Sequence, residues 1–310
     1  MKEHAARLSS SSSELIMARE ALRRELALKL ERVRRSARRH SLAMSSNRAA
    51  RPRAKGPSPW LVSSQTSKPE QTFDSFVSDG ANRLALRLAW GIADATLIRP
   101  DQSPLLVVGP EGSGKTHLLS AAVSWVSDIE AGESLMLNLF DLELEVEQAE
   151  RFDRLPELRR WLHGHRLVAI DDIHELRWCS PRLLEELRAL VGAVAVGSLG
   201  LILAKDERRA CHELLEQVLL GAQRVEIAVG GKGHRGRIAA SMATPPFPDM
   251  VLDYLATRSN GNARHMREAI TQLQATRRLL RREVTLDDAR AVFPPKELMT
   301  EKEVPEDLGP

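Results

Sequence analysis

The chain has little of what marks a secreted, membrane-bound or zinc-stapled protein. It contains two cysteines, Cys179 and Cys211, too few for a disulfide framework and in keeping with a reducing compartment. Its longest uncharged apolar stretch, residues 189–204, is broken by Gly192, Gly197, Ser198 and Gly200, and is shorter than the roughly 20 residues a spanning helix needs. The N-terminus lacks the apolar segment of a secretory signal. It is rich in Arg and Ser, yet carries glutamates that transit peptides avoid. His174, Cys179, Cys211 and His212 do not have the spacing of a zinc site, no G-x-S-x-G elbow accompanies the serines, and no internal repeat is visible. These absences predict a cytoplasmic protein with no membrane association.

What is present is an uneven distribution of charge. The 310 residues have a formal net charge of +3 and 43% hydrophobic content, enough for one or two well-cored domains. Residues 1–60 hold +10 of that charge and the remainder −7. A basic arm joined to a near-neutral folded body is therefore expected. Leu15, Leu22, Leu26, Leu30 and Val33 recur at helical spacing, and residues 45–70 read as a flexible linker rich in Ser, Pro, Arg and Lys. The run from Arg32 to Lys55 is suited to nucleic-acid phosphates, with a solvated linker or a partner-docking helix as the other readings.

From Phe73 onward, short apolar runs at 105–108, 134–138, 167–170, 199–204 and 224–228 alternate with helical patterns, as in a parallel sheet covered on both faces. After Gly230-Gly231 only helices are indicated, at 235–242, 249–258, 263–281 and 286–292, with turn or cap residues at Pro245-Pro246, Asn260-Gly261-Asn262 and Thr285. The expected organisation is a basic helix and linker (1–70), an α/β nucleotide-binding domain (71–229), a helical lid (230–295) and an acidic tail (296–310). Glu143, Glu145, Glu147 and Glu150 read as one solvated stretch. Arg277, Arg278, Arg281 and Arg282 are read first as complements to a helix dipole, and second as an extension of a nucleic-acid surface.

Gly109-Pro110-Glu111-Gly112-Ser113-Gly114-Lys115-Thr116 fits G-x-x-x-x-G-K-[ST] between a strand and a helix. Such a loop aims backbone N–H groups and a helix N-terminus at phosphate oxygens. Lys115 is expected to reach the β and γ phosphates and Thr116 to ligate Mg²⁺. The apolar run ending in Asp171-Asp172 supplies the acids that such a site requires, Asp171 for the metal and Asp172 for the attacking water. ATP and Mg²⁺ are thus the expected ligands.

Several stretches, the phosphate loop among them, carry a resemblance. Gln71-Thr72-Phe73-Asp74-Ser75-Phe76-Val77 with Asn82-Arg83-Leu84-Ala85, the loop continuing into His117-Leu118-Leu119, and Ile170-Asp171-Asp172-Ile173-His174 are similar to the ATPase core of the DnaA family of bacterial replication initiators. So are Asn260-Gly261-Asn262-Ala263-Arg264 and Val284-Thr285-Leu286 in the helical part. The resemblance spans about residues 71–293 and implies an AAA+ fold, a five-stranded parallel sheet flanked by helices with a small all-α lid. It further implies that Asp206 is a first sensor of the γ phosphate and Arg264 a second, reaching in from the lid. Phe73 and Phe76 fall where that family approaches the adenine, ordinary core packing being the other reading.

Two departures qualify the resemblance. The family's C-terminal DNA-reading domain has no counterpart before Pro310, a layout like that of the ATPase-only Hda type. Gly221 stands where an arginine finger is expected, and Arg224 lies in the next strand. The expected function is an ATP/ADP switch in replication initiation or its control, with slow hydrolysis because a finger is worth about 10³–10⁵ in turnover. A DnaA-like or other replication protein, DNA bound through the arm, and an ATP-dependent oligomer are the expected partners. A non-hydrolysing adaptor tethered to DNA, or a helicase-loader or transposition-helper ATPase, are the alternatives.

Overall fold

A computed structural model describes residues 70–94, 103–129, 134–175, 179–228, 230–259 and 261–294. The chain divides between Arg53 and Ala54, and every described residue belongs to the second unit. The expected basic arm, linker and acidic tail lie outside the described residues.

The strands are β1 (Leu105–Gly109), β2 (Ser134–Asn138), β3 (Leu167–Asp171), β4 (Gly200–Asp206) and β5 (Gln223–Glu226). They form one sheet in the order β2-β3-β4-β1-β5 with every pairing parallel. The helices interleaved with them are α1 (Arg83–Ala93), α2 (Lys115–Ile129), α3 (Leu139–Arg151), α4 (Leu155–His163), α5 (Pro181–Ala195) and α6 (Glu213–Val218). Four more follow the sheet: α7 (Lys232–Met242), α8 (Asp249–Arg258), α9 (Ala263–Leu280) and α10 (Leu286–Val292).

The strands read as unbroken apolar runs because both faces are covered, and their two-residue period sorts the side chains between two cores. Leu135, Leu137, Val168, Ile170, Leu201 and Leu203 pack with α3, α4, α5 and α6. Met136, Leu167, Ala169, Ile202 and Ala204, with Leu105, Val107 and Val225, pack with α1 and α2. A third core, built on Phe247, Val251, Leu255, Met266, Ile270 and Leu273, belongs to the four final helices.

Side-chain caps fix several helix starts. Asn138 accepts from the Asp141 N–H, Ser180 from Leu183, and Asn262 from both Arg264 and His265, while Thr285 and Asp288 form a reciprocal capping box. Helix α9 stops at Leu280, one residue short of expectation, because Arg281 turns left-handed at φ 50°. Helix α7 starts at Lys232, ahead of the expected 235, and β5 is shorter and earlier than 224–228. Strands β1, β3 and β4 run on to include Gly109, Asp171 and Asp206.

One expectation is overturned outright. Glu147 and Glu150 are exposed, but Glu143 and Glu145 are buried between α3 and its neighbours. Glu143 is retained there because the Ser180 N–H and hydroxyl both donate to its carboxylate, at 3.0 and 3.2 Å. Burial pushes both carboxyls above their ordinary range. Among the described residues no helix is long and apolar enough to cross a membrane.

Candidate functional site

Strands β1, β3 and β4 are neighbours and parallel, so their C-terminal ends open on one edge of the sheet. Gly109 at the end of β1 pairs in register with Asp206 at the end of β4, and β3 delivers Asp171 to the same edge. The loop after β1 turns back into α2 through Gly112 and Gly114, both at positive φ (74° and 101°), where a side chain would be strained. The Ser113 hydroxyl is buried in that loop without a hydrogen-bond partner. A polar group so placed calls for a ligand that supplies the bond, and phosphate oxygens do so.

Lys115 opens α2 and is buried, its ammonium donating to the carbonyls of Gly109 and Pro110, each at 2.8 Å. Burial lowers its pKa against the opposing charges of Asp206, Asp171, Asp172 and Glu111. The Thr116 hydroxyl donates to the Asp171 carboxylate at 2.6 Å. Asp171 is 1% exposed, and burial, then the charge of Asp172, raise its pKa to about 6 despite hydrogen bonds from Thr116 and the Asp172 N–H. Asp172 itself is held at φ 52°, an uncommon conformation for a non-glycine residue. Thr116 and Asp171 together present two hard oxygen donors, the kind of partial shell Mg²⁺ takes when phosphate and water complete it. Among the described residues no group of three or more His, Cys, Asp or Glu is arranged to hold a metal.

The final helices close onto this loop. The Ala263 N–H donates to the Gly112 carbonyl at 3.2 Å, and Arg264 in the first turn of α9 meets the Glu111 carboxylate at 2.9 Å. Asn262 crowds Gly112 so closely that a Cβ there would collide with it. The Asp206 N–H donates to His174 Nδ1 at 3.2 Å, while its carboxylate accepts from the Arg208 N–H.

The two aromatic candidates separate. Phe76 stands edge-on to His117 with centroids 5.2 Å apart, and a Cβ on Gly114 would sit 3.3 Å from its ring. Phe73 instead packs on Trp125, farther along α2. The site therefore gathers Gly109, Gly112, Ser113, Gly114, Lys115, Thr116, Asp171, Asp172, Asp206, Arg264 and Phe76, and leaves Phe73 aside.

Sequence reasoning overlooked Glu111, the partner of Arg264, and the role of His117, whose Nε2 lies 3.1 Å from both the Thr72 carbonyl and Ser75 Oγ. Burial lowers the pKa of that imidazole, and its two contacts tie the 71–76 segment to α2. Its only signal was a polar residue directly after the loop. Gly221 is exposed after α6, and Arg224 lies on β5 near Glu226.

Residues 67–218 match the family described as the bacterial DnaA ATPase domain. The chromosomal replication initiator protein DnaA of Bradyrhizobium sp. (strain ORS 278) is 31% identical over 240 residues, covering 71% of this chain and 49% of that one. The chain spans about half the length of the curated relatives it matches. Domain III of Thermotoga maritima DnaA shares the fold at a TM-score of 0.64 and 21% identity, covering 76% of this chain and 99% of that one. AMPPCP-bound DnaA from Aquifex aeolicus does so at 0.58 and 21%, covering 67% and 66%.

Proposed function

Because this chain carries an AAA+ ATPase core of the DnaA type, we propose that it binds ATP with Mg²⁺ and acts as a nucleotide switch in replication initiation or its control. The observation that carries this reading is the convergence of Thr116 and Asp171 at 2.6 Å with Lys115, under a lid helix whose Arg264 reaches the phosphate loop. The relative solved with AMPPCP supports the choice of nucleotide.

In this reading the domain of residues 71–229 holds the nucleotide and residues 230–295 form the lid. Lys115 and the loop N–H groups neutralise the phosphates, Thr116 and Asp171 hold Mg²⁺, and Asp172 orients the attacking water. Asp206 and Arg264 sense the γ phosphate, and Phe76 borders the base. Mg²⁺ would supply charge neutralisation between the β and γ phosphates. A lid bonded to the loop at Gly112 and Glu111 gives nucleotide state a route to lid angle, and so to partner affinity. The basic arm contributes DNA affinity, and the protein works in the cytoplasm beside a DnaA-like or other replication protein.

Gly221 favours slow turnover, and keeps a second reading in view: an adaptor that binds nucleotide without hydrolysing it. Equilibrium titration with a fluorescent ATP analogue tests the site, with Lys115→Ala expected to weaken binding at least tenfold. Unchanged affinity in that variant would remove the assignment. Turnover that appears only when a DnaA-like partner is added supports the switch, and zero turnover under every condition supports the adaptor.

A further inference from the structure

At its far end, α9 borders a second cleft that the nucleotide reading does not use. It has a volume of about 590 Å³ and is lined by Arg277, Arg278, Arg281, Arg282 and Glu283 together with Pro245. At 1.5 Å rise per residue, Arg278 lies roughly 20 Å along the helix from Arg264, too far to share a phosphate with it.

Arg277 and Arg278 lie in the last turn of α9, where they complement the helix dipole, whereas Arg281 and Arg282 lie beyond the end of the helix. Arg277 donates to the Pro245 carbonyl at 3.0 Å and pairs with Glu283. Arg282 grips both oxygens of Asp288 at 2.7 and 2.8 Å, and holds that carboxyl well below the usual carboxylate range. Both guanidiniums are thereby fixed in orientation by neighbouring elements. Arg278 and Arg281 are exposed and make no hydrogen bond or ion pair among the described residues. Arg281 also occupies the left-handed position after the helix, where Gly or Asn is the usual choice and a larger side chain costs about 1 kcal/mol. Two carboxylates against four guanidiniums leave an uncompensated charge of about +2, concentrated in a concave site at a strained residue.

The geometry points to a nucleic-acid site in which Arg278 and Arg281, between the clamped Arg277 and Arg282, hold the phosphodiester backbone of a strand crossing the lid. The guanidinium fork matches phosphate, and a concave cleft admits a strand more readily than it meets a flat bilayer. Leu279 and Leu280 are exposed but do not line the cleft.

The test uses the full chain and the double variant Arg278→Ala with Arg281→Gly, the glycine relieving the backbone at 281 while removing its charge. Anisotropy of a labelled oligodeoxythymidine 20-mer is followed from 50 to 300 mM salt. Loss of two phosphate contacts should lower the slope of log K against log salt by about 1.4, and weaken binding roughly 25-fold at 0.1 M. Thermal stability should be unchanged or raised, and Arg278→Lys with Arg281→Lys should keep most of the slope. An unaltered slope and affinity in the Ala/Gly variant overturns the proposal. So does a variant that loses co-sedimentation with vesicles containing anionic lipid while still binding the oligonucleotide as wild type does.

Discussion

Asp171→Asn should make the protein more stable while removing its response to Mg²⁺. The carboxyl is 1% exposed and its pKa is raised to about 6, from an ordinary value near 4 in the unfolded chain. A group raised in this way lets the folded state keep its proton while the unfolded state has lost it, so stability falls as pH rises from about 4 to about 6 and is level above that. The full cost is roughly 3 kcal/mol, about half of it reached at pH 5. Asparagine fits the same contacts, since its oxygen can accept from the Asp172 N–H and its amide can donate to the Thr116 hydroxyl. Allowing about 1 kcal/mol for weaker hydrogen bonds, the variant should gain about 2 kcal/mol at pH 7.5. That is a rise of about 4–8 °C in Tm for a folded unit of this size. Urea or thermal unfolding at pH 5 and pH 7.5, without nucleotide or Mg²⁺, measures it. A variant no more stable than wild type at pH 7.5, or a gain that does not grow with pH, would refute the burial argument.

Glu111→Gln should release Arg264 and tighten ATP binding by about two- to fivefold, the scale of an exposed ion pair. The gain should shrink in an Arg264→Ala background, and a gain of equal size there would mean that Glu111 acts by bare charge alone. Gly200→Ala should cost about 1–3 kcal/mol by overpacking, because a Cβ would lie 2.6 Å from Ile92 Cγ2 and 3.2 Å from Leu167 Cδ1. A lower denaturation midpoint with an unchanged m-value checks it, and an unchanged midpoint would show that α1 yields freely.

The parts of the site that are local in sequence were legible in it. The phosphate loop, the strand ending in Asp171 and the caps at Asn262 and Thr285 each follow from a few consecutive residues. Contacts made across the chain were not. Glu111 and Arg264 are far apart in sequence and meet only because the lid closes on the loop. Phe73 and Phe76 are three residues apart, yet only Phe76 faces Gly114, because one turn of chain sends the other to Trp125. Glu143 looks like a solvent residue until α5 docks and Ser180 supplies its two hydrogen bonds. The arginines of 277–282 are alike in the sequence, and only the packing of α10 and the 245–246 turn divides them into clamped and free.

The strand order has a consequence for how the chain is made. Strand β1 sits between β4 and β5, and both are encoded after it, β5 ending at Glu226. A ribosome adding about 5–20 residues each second reaches β5 many seconds after Gly109 has been synthesised. Until β4 is made, the apolar strand that carries the phosphate loop has neither sheet neighbour, and the edge that β5 will cover stays open to pairing by another chain for longer still. Nascent chains stopped before β4 should therefore bind no nucleotide and depend on chaperones, and the last strand to emerge is the one that finishes the cradle of the first.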